Sequence, residues 1–125
     1  MTPLELQFNI LKSEYPDSTM EKLPSSAALI TMANFQLPTG WSSKTTVVRF
    51  LAPVGYPFAK PDCFWIEEHV RLHSNAMPQN SGFNELPEVP GKYLWFSWHI
   101  ENWNPNRDSL MTYVHVIEAR LKTAV

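Results

Sequence analysis

A single cysteine, Cys63, excludes an internal disulfide and any zinc site built on paired cysteines, and it fits a cytoplasmic chain. Positive charge is not in excess: 10 Lys and Arg stand against 12 Asp and Glu, a net charge of −2, so the electrostatic grip that nucleic acid requires is absent. No apolar run approaches the roughly 20 residues of a membrane helix. The opening "LELQFNILKSEYPDS" is broken by charges before the apolar stretch of a signal peptide forms. Only four glycines occur, and none sits in a phosphate-cradling loop or a Gly-x-Ser-x-Gly turn. There is no His-Glu-x-x-His motif: His69 and His73 lie four apart on a strand-to-loop segment rather than a helix, so no metal is assigned. Glu67 and Glu68 are adjacent and point to opposite faces of a strand, which argues against a glycosidase pair. No cofactor is implied.

What is present is apolar, aromatic and rich in proline. The composition is 44% hydrophobic and 18% charged, with 11 prolines and five tryptophans in 125 residues. That is enough for one real core, so residues 1–125 are expected to form a single domain. Leu4, Phe8 and Leu11 are spaced for an amphipathic helix, with Thr2 as cap and Pro3 at its first position. A short strand is expected around Met20–Leu23, and a longer one over residues 27–38 anchored by Leu29 and Phe35. In "KTTVVRFLA" (44–52) Thr46, Val48 and Phe50 share one strand face. "PVGYPFAKP" reads as a rigid loop before a further strand at 62–70, and such spacing predicts an antiparallel meander. Residues 71–93 lose periodicity and read as a long ordered loop. "YLWFSWHIENWNPN" (93–106) is expected to pack across the sheet end. The last segment is the clearest helix: Leu110, Val114, Ile117 and Leu121 form one apolar stripe, Asp108 or Ser109 caps it, and Arg120 and Lys122 lie near its C-terminus.

Two positions carry candidate chemistry. Strand alternation places Cys63 with Trp65 and Glu67 on one face, with neither a cation nor a base beside it, so Cys63 reads as structural rather than nucleophilic. His99 lies in "FSWHIENW" between two tryptophans, with Ser97 two residues before it. Two readings of His99 stand at this point: a ring packed on tryptophan and bonded to backbone, or a general base or oxyanion donor in an aromatic pocket. His115 falls at a helix boundary position.

The order of landmarks resembles the ubiquitin-conjugating enzyme (UBC-like) superfamily. "VVRFLAPVGYPFAKPDCFWI" is similar to its strand–Tyr-Pro-x-x-x-Pro–strand signature, carried here by Tyr56, Pro57 and Pro61. "HSN", with His73 and Asn75, resembles a degenerate His-Pro-Asn tripeptide. "ENWNPNRDSLMTYVHVIEARL" is similar to its Trp-x-Pro followed by a crossover helix, here Trp103 and Pro105. The combination resembles most closely a bacterial branch, the prokaryotic E-type family. The resemblance implies an α+β, UBC-like fold: an N-terminal helix, a four-stranded antiparallel meander, a long loop and a C-terminal crossover helix, in a minimal form with one helix at that end. It also implies a ubiquitin-like modifier protein and a ThiF-like activating enzyme as partners, a JAB-type peptidase in the same system, and an antiphage or stress role.

One departure reshapes the function. The superfamily keeps its catalytic cysteine shortly before Trp-x-Pro, and "KYLWFSWHIEN" contains none. Cys63 lies on the far side of the long loop, so Pro57 and Pro61 are expected to shape an extended approach to its strand. Ser97 is the hydroxyl of that window and His99 is its base in principle. On one regular strand face their Cβ atoms would stand roughly 7 Å apart, too far for direct activation. The first expectation is a conjugating component with His99 and Ser97 as catalytic residues and His73, Asn75, Trp95 and Trp103 lining the site. The alternative is a noncatalytic adaptor that binds the modifier or its activating enzyme through the aromatic loop and meander. An exposed His99 near Asn75 favours the first, and one buried under Trp95 or Trp103 favours the second. A weaker third expectation, a small-ligand binder using the tryptophans, requires a closed apolar pocket.

Overall fold

The structure, a computed structural model, describes residues 1–125. Helix α1 (Pro3–Glu14) starts at the expected cap. Thr2 Oγ1 accepts the Glu5 N–H at 3.1 Å, and the Glu5 carboxylate accepts the Thr2 N–H at 3.4 Å, so orphan donors are satisfied on both sides of the first turn. Leu11 is fully buried, and Leu4 and Phe8 pack beside it on the core.

Six antiparallel strands follow: β1 (Ser18–Lys22), β2 (Ala28–Gln36), β3 (Thr45–Ala52), β4 (Phe64–Glu67), β5 (Ser81–Gly82) and β6 (Tyr93–Phe96). They lie in the order β1-β2-β3-β4-β6-β5. The meander β1–β4 is as expected; β6 and the two-residue β5 extend it. The difference comes from the aromatic run at 93–96, which pairs residue by residue with β4 instead of crossing the sheet end. Its alternation is that of a strand, with Leu94 and Phe96 fully buried in the main core and Tyr93 and Trp95 on the opposite face.

β2 changes parity along its length. Ile30 and Met32 face the core with Val48 and Phe50 of β3, but Phe35 joins the same core from an odd position. A bulge between Met32 and Phe35, with Asn34 at φ 58°, inserts the extra residue. Leu29, before the bulge, faces the other way and anchors a second cluster with Leu23, Trp65 and Leu86.

Helix α2 (Leu110–Lys122) closes the core. Leu110, Val114, Ile117 and Leu121 are all buried, along with Tyr113. Burying the first four contributes about 6–10 kcal/mol before entropy is counted. Ser109 is the N-cap. Asp108 closes the preceding turn instead, its Oδ2 accepting the Asn104 N–H at 2.7 Å, and that bond holds the Asp108 carboxyl below its ordinary range. Arg120 stands in the last turn, as expected, but it is turned inward. It is 4% exposed, lies against the rings of Phe96 and Trp98, and donates to the main-chain oxygens of Gln79, Thr123 and Val125. Trp41 shares this region, its Nε1 donating to the Leu121 carbonyl at 2.8 Å. The turn before it needs glycine: Gly40 has φ 113°, and a Cβ there would lie 2.6 Å from that of Ala124.

The long loop is ordered and covers the outer sheet face. Leu86 is 2% exposed in the second cluster, Asn84 offers its carbonyl to Trp65 Nε1 at 3.2 Å, and Glu88 accepts the Ser25 N–H at 2.9 Å.

Candidate active site

The segment that carries the candidate residues begins where β6 stops. The strand ends at Phe96, and the chain from Ser97 to Trp103 leaves the regular pleat. Four contacts pin it. The Ser97 N–H donates to the Asn80 carbonyl at 2.9 Å. The Tyr113 hydroxyl, from the buried face of α2, donates to the Trp98 carbonyl at 2.9 Å. Lys60 Nζ donates to the Ile100 carbonyl at 2.6 Å, and Trp103 Nε1 to the Pro57 carbonyl at 2.7 Å. Helix α2 and the Tyr-Pro loop therefore set the backbone on either side of His99.

That loop is a turn rather than the extended approach expected from its prolines. The N–H groups of Tyr56, Phe58 and Ala59 donate to the carbonyls of Pro53, Gly55 and Gly55. These bonds confine the turn to residues 53–59, and residues 60–63 then lead into β4 without a further turn. The Tyr56 ring tilts against Trp103, with centroids 5.9 Å apart, and its hydroxyl donates to Gln7 Oε1, which also accepts the Leu110 N–H at 3.2 Å. Pro61 is buried, and Pro105 is half-buried in the turn that precedes α2.

His99 projects from this frame into solvent, its side chain 52% exposed. Nδ1 lies 2.8 Å from the Asp62 main-chain oxygen and 2.8 Å from Asp62 Oδ1. Both are acceptors, so Nδ1 is the donor, and in the neutral ring Nε2 is then the acceptor. Nε2 stands 3.3 Å from Ser97 Oγ. Ser97 and His99 lie beyond the end of β6, and their side chains converge at these two atoms whatever the separation of their Cβ atoms. An exposed imidazole with one nitrogen fixed and the other open accepts a proton from a hydroxyl, thiol or amine brought to it.

Asp62 was not legible as a member of this group. It lies 37 residues before His99, and no periodic pattern joins the two. The same holds for Lys60. The other sequence candidates lie apart from the imidazole. His73 and Asn75 are exposed, and their N–H groups donate to the carbonyls of Gly40 and Leu72, at the turn beside Trp41. The two histidines share no hydrogen bond. Trp95 is half-buried on the outer sheet face with Trp65 and Cys63. Trp103 supports the segment through Tyr56 and Pro57 rather than covering the His99 ring.

Cys63 packs in the second cluster. Burial pushes its thiol above the ordinary range and the Asp62 charge adds to this, while a hydrogen bond with Trp95 acts in the opposite sense. Such an environment disfavours the thiolate that a nucleophilic cysteine needs. The tryptophans do not enclose a common pocket: Trp41 and Trp98 flank Arg120, Trp65 and Trp95 share the outer face, and Trp103 rests on Tyr56. A cleft of about 600 Å³ lies elsewhere, lined by Tyr15, Phe35 and Glu118 among others, and it does not include His99. No three His, Cys, Asp or Glu side chains are gathered to hold a metal ion, and no helix is long and apolar enough to cross a membrane.

The sequence profile of prokaryotic E2 family E matches residues 10–124. Comparison with curated proteins and with solved structures gave no match. The profile spans nearly the whole chain, from within α1 through the meander and the His99 segment to the end of α2, and agrees with the two helices flanking an antiparallel sheet. The chain belongs to prokaryotic E2 family E, and is a ubiquitin-conjugating-like protein of a bacterial modifier system.

Proposed function

We propose that this protein is the conjugating component of its modifier system and that His99, not a cysteine, supplies the acid–base group of an acyl transfer. The observation that carries this reading is the state of the His99 ring. Asp62 holds Nδ1 through two acceptors at 2.8 Å, while Nε2 faces solvent and a hydroxyl. The ring lies four residues before Trp103, in the window that has no cysteine, and Cys63 is held as a thiol in the outer cluster. The partners that fit are a ubiquitin-like modifier, whose C-terminal carboxyl is the acyl group, and a ThiF-like enzyme that activates it. A JAB-type peptidase would reverse the product. In the transfer, Nε2 takes the proton from the attacking nucleophile as the acyl carbon is engaged, and the imidazolium returns it to the leaving group.

The covered outer face weighs against an adaptor that binds through the meander, while Phe83 of the long loop, 59% exposed, stays open to one that binds through the loop. The surface around Leu29 and Trp65 is already occupied by Leu86 and its loop. The test is incubation with the cognate activating enzyme, ATP and modifier. His99→Ala is expected to stay folded, to bind the activating enzyme, and to lose transfer by about 10²–10⁴-fold, the range for an acid–base group. A folded His99→Ala variant that transfers as well as wild type overturns the reading. Binding of modifier with no transfer by wild type supports the adaptor instead.

A further inference from the structure

The Ser97–His99–Asp62 contact has the connectivity of a nucleophile, its base and the group that orients the base. We propose that Ser97 is the nucleophile of this site: its Oγ takes the acyl group of an activated acyl donor, a thioester or an acyl phosphate anhydride, and holds it as an oxyester. The proposal rests on the reading of His99 as the acid–base group and adds the atom that bonds to carbon and the residue that sets the base.

Four observations converge on it. Ser97 Oγ is 3.3 Å from Nε2, just beyond the range of about 2.6–3.2 Å for a nucleophile and its base and within reach of it by a small side-chain rotation. Nδ1 is committed as a donor to both acceptors of Asp62, which leaves Nε2 as the acceptor that the Ser97 O–H needs. Both groups are open to the outside, His99 by 52% and Asp62 by 71% of their side chains, so the tail of a protein substrate reaches them without any cavity. The backbone beneath is fixed by Asn80, Tyr113 and Lys60, so Ser97 and His99 are presented by a held segment and not by a free loop.

The chemistry balances without an oxidant, a reductant or a metal. Ser97 Oγ attacks the acyl carbon and its proton passes to Nε2. The bond from the acyl carbon to sulfur or phosphate oxygen breaks, and the leaving group takes the proton from the imidazolium. In the second half an amine attacks the oxyester, Nε2 takes its proton, the Oγ–carbon bond breaks and the proton returns to Ser97. Asp62 is a positioning residue: it bonds no reacting atom, fixes the tautomer and opposes the imidazolium charge with its carboxylate.

The test needs none of the biological partners. The whole chain is treated with p-nitrophenyl acetate, an activated acyl ester, and the acylated residue is located by peptide mass spectrometry. The expected result is acetyl on Ser97, formed with a burst of nitrophenolate, absent in Ser97→Ala, slowed about 100-fold or more in His99→Ala, and restored as a thioester in Ser97→Cys. Asp62→Asn is expected to slow acylation and to change the His99 ring tautomer seen in ¹⁵N spectra. An unmodified Ser97 in wild type, or equal Ser97 acylation in His99→Ala, overturns the serine relay. Asp62→Asn with wild-type rate and tautomer removes Asp62 from it. The two proposals also fail separately in the reconstituted transfer reaction. If Ser97→Ala transfers modifier normally while His99→Ala does not, the serine nucleophile is wrong and the acid–base reading survives. If His99→Ala transfers normally, both fall.

Discussion

Tyr113→Phe removes one oxygen atom and tests how the fold holds its candidate site. Tyr113 is fully buried on α2, its ring 5.3 Å from that of Phe50, and its hydroxyl donates to the Trp98 carbonyl at 2.9 Å. The substitution keeps the ring and its packing, so no cavity forms and the transfer term is nearly unchanged. What is lost is one hydrogen bond, with the Trp98 carbonyl left short of a donor. That costs about 1–2 kcal/mol, the low end of the range for orphaning a partly buried acceptor. With a urea m-value of about 2 kcal/mol/M, the unfolding midpoint should fall by about 0.5–1 M with m unchanged. The local effect should exceed the global one. Trp98 precedes His99, so amide exchange over residues 98–102 should accelerate more than in β2 or β3, whose ladder does not depend on this bond. An unchanged midpoint together with unchanged exchange at residues 98–102 would refute the argument that α2 pins this segment through Tyr113.

Cys63→Ser should leave transfer intact and lower stability by about 1 kcal/mol, because a half-buried apolar thiol is exchanged for a hydroxyl. Loss of transfer with an unchanged melting curve would make Cys63 the nucleophile after all. In the native protein Cys63 should also alkylate more slowly at neutral pH than in urea, since burial raises its pKa and suppresses the thiolate. Arg120→Ala should destabilise by on the order of 3 kcal/mol, leaving the oxygens of Gln79, Thr123 and Val125 without their donor and a void beside Phe96 and Trp98. Denaturation followed by tryptophan fluorescence reads this directly. A midpoint within error of wild type would mean that the guanidinium contributes nothing net, its desolvation cancelling its bonds.

The amino-acid sequence by itself determined the features that depend on near neighbours. The α1 cap, the alternation of Thr46, Val48 and Phe50, the stripe on α2 and the side taken by Cys63 all follow from periods of two or 3.6 residues and from capping chemistry. The ordered appearance of Tyr56-Pro57, His73 to Asn75 and Trp103 to Pro105 along the chain was enough to indicate the family. Tertiary structure decided what depends on which distant segments meet. The run at 93–96 became a sheet strand because β4 offered an open edge for it. Arg120 went inward because carbonyls from Gln79 to Val125 converge there. Ser97 and His99 meet beyond the end of β6, and the anchoring of His99 required the turn at 53–59 to bring Asp62 beside it. Sequence periodicity records which face of an element is apolar. It carries no record of which two polar groups from separate elements come within 3 Å, because that distance is set by every turn and packed layer between them.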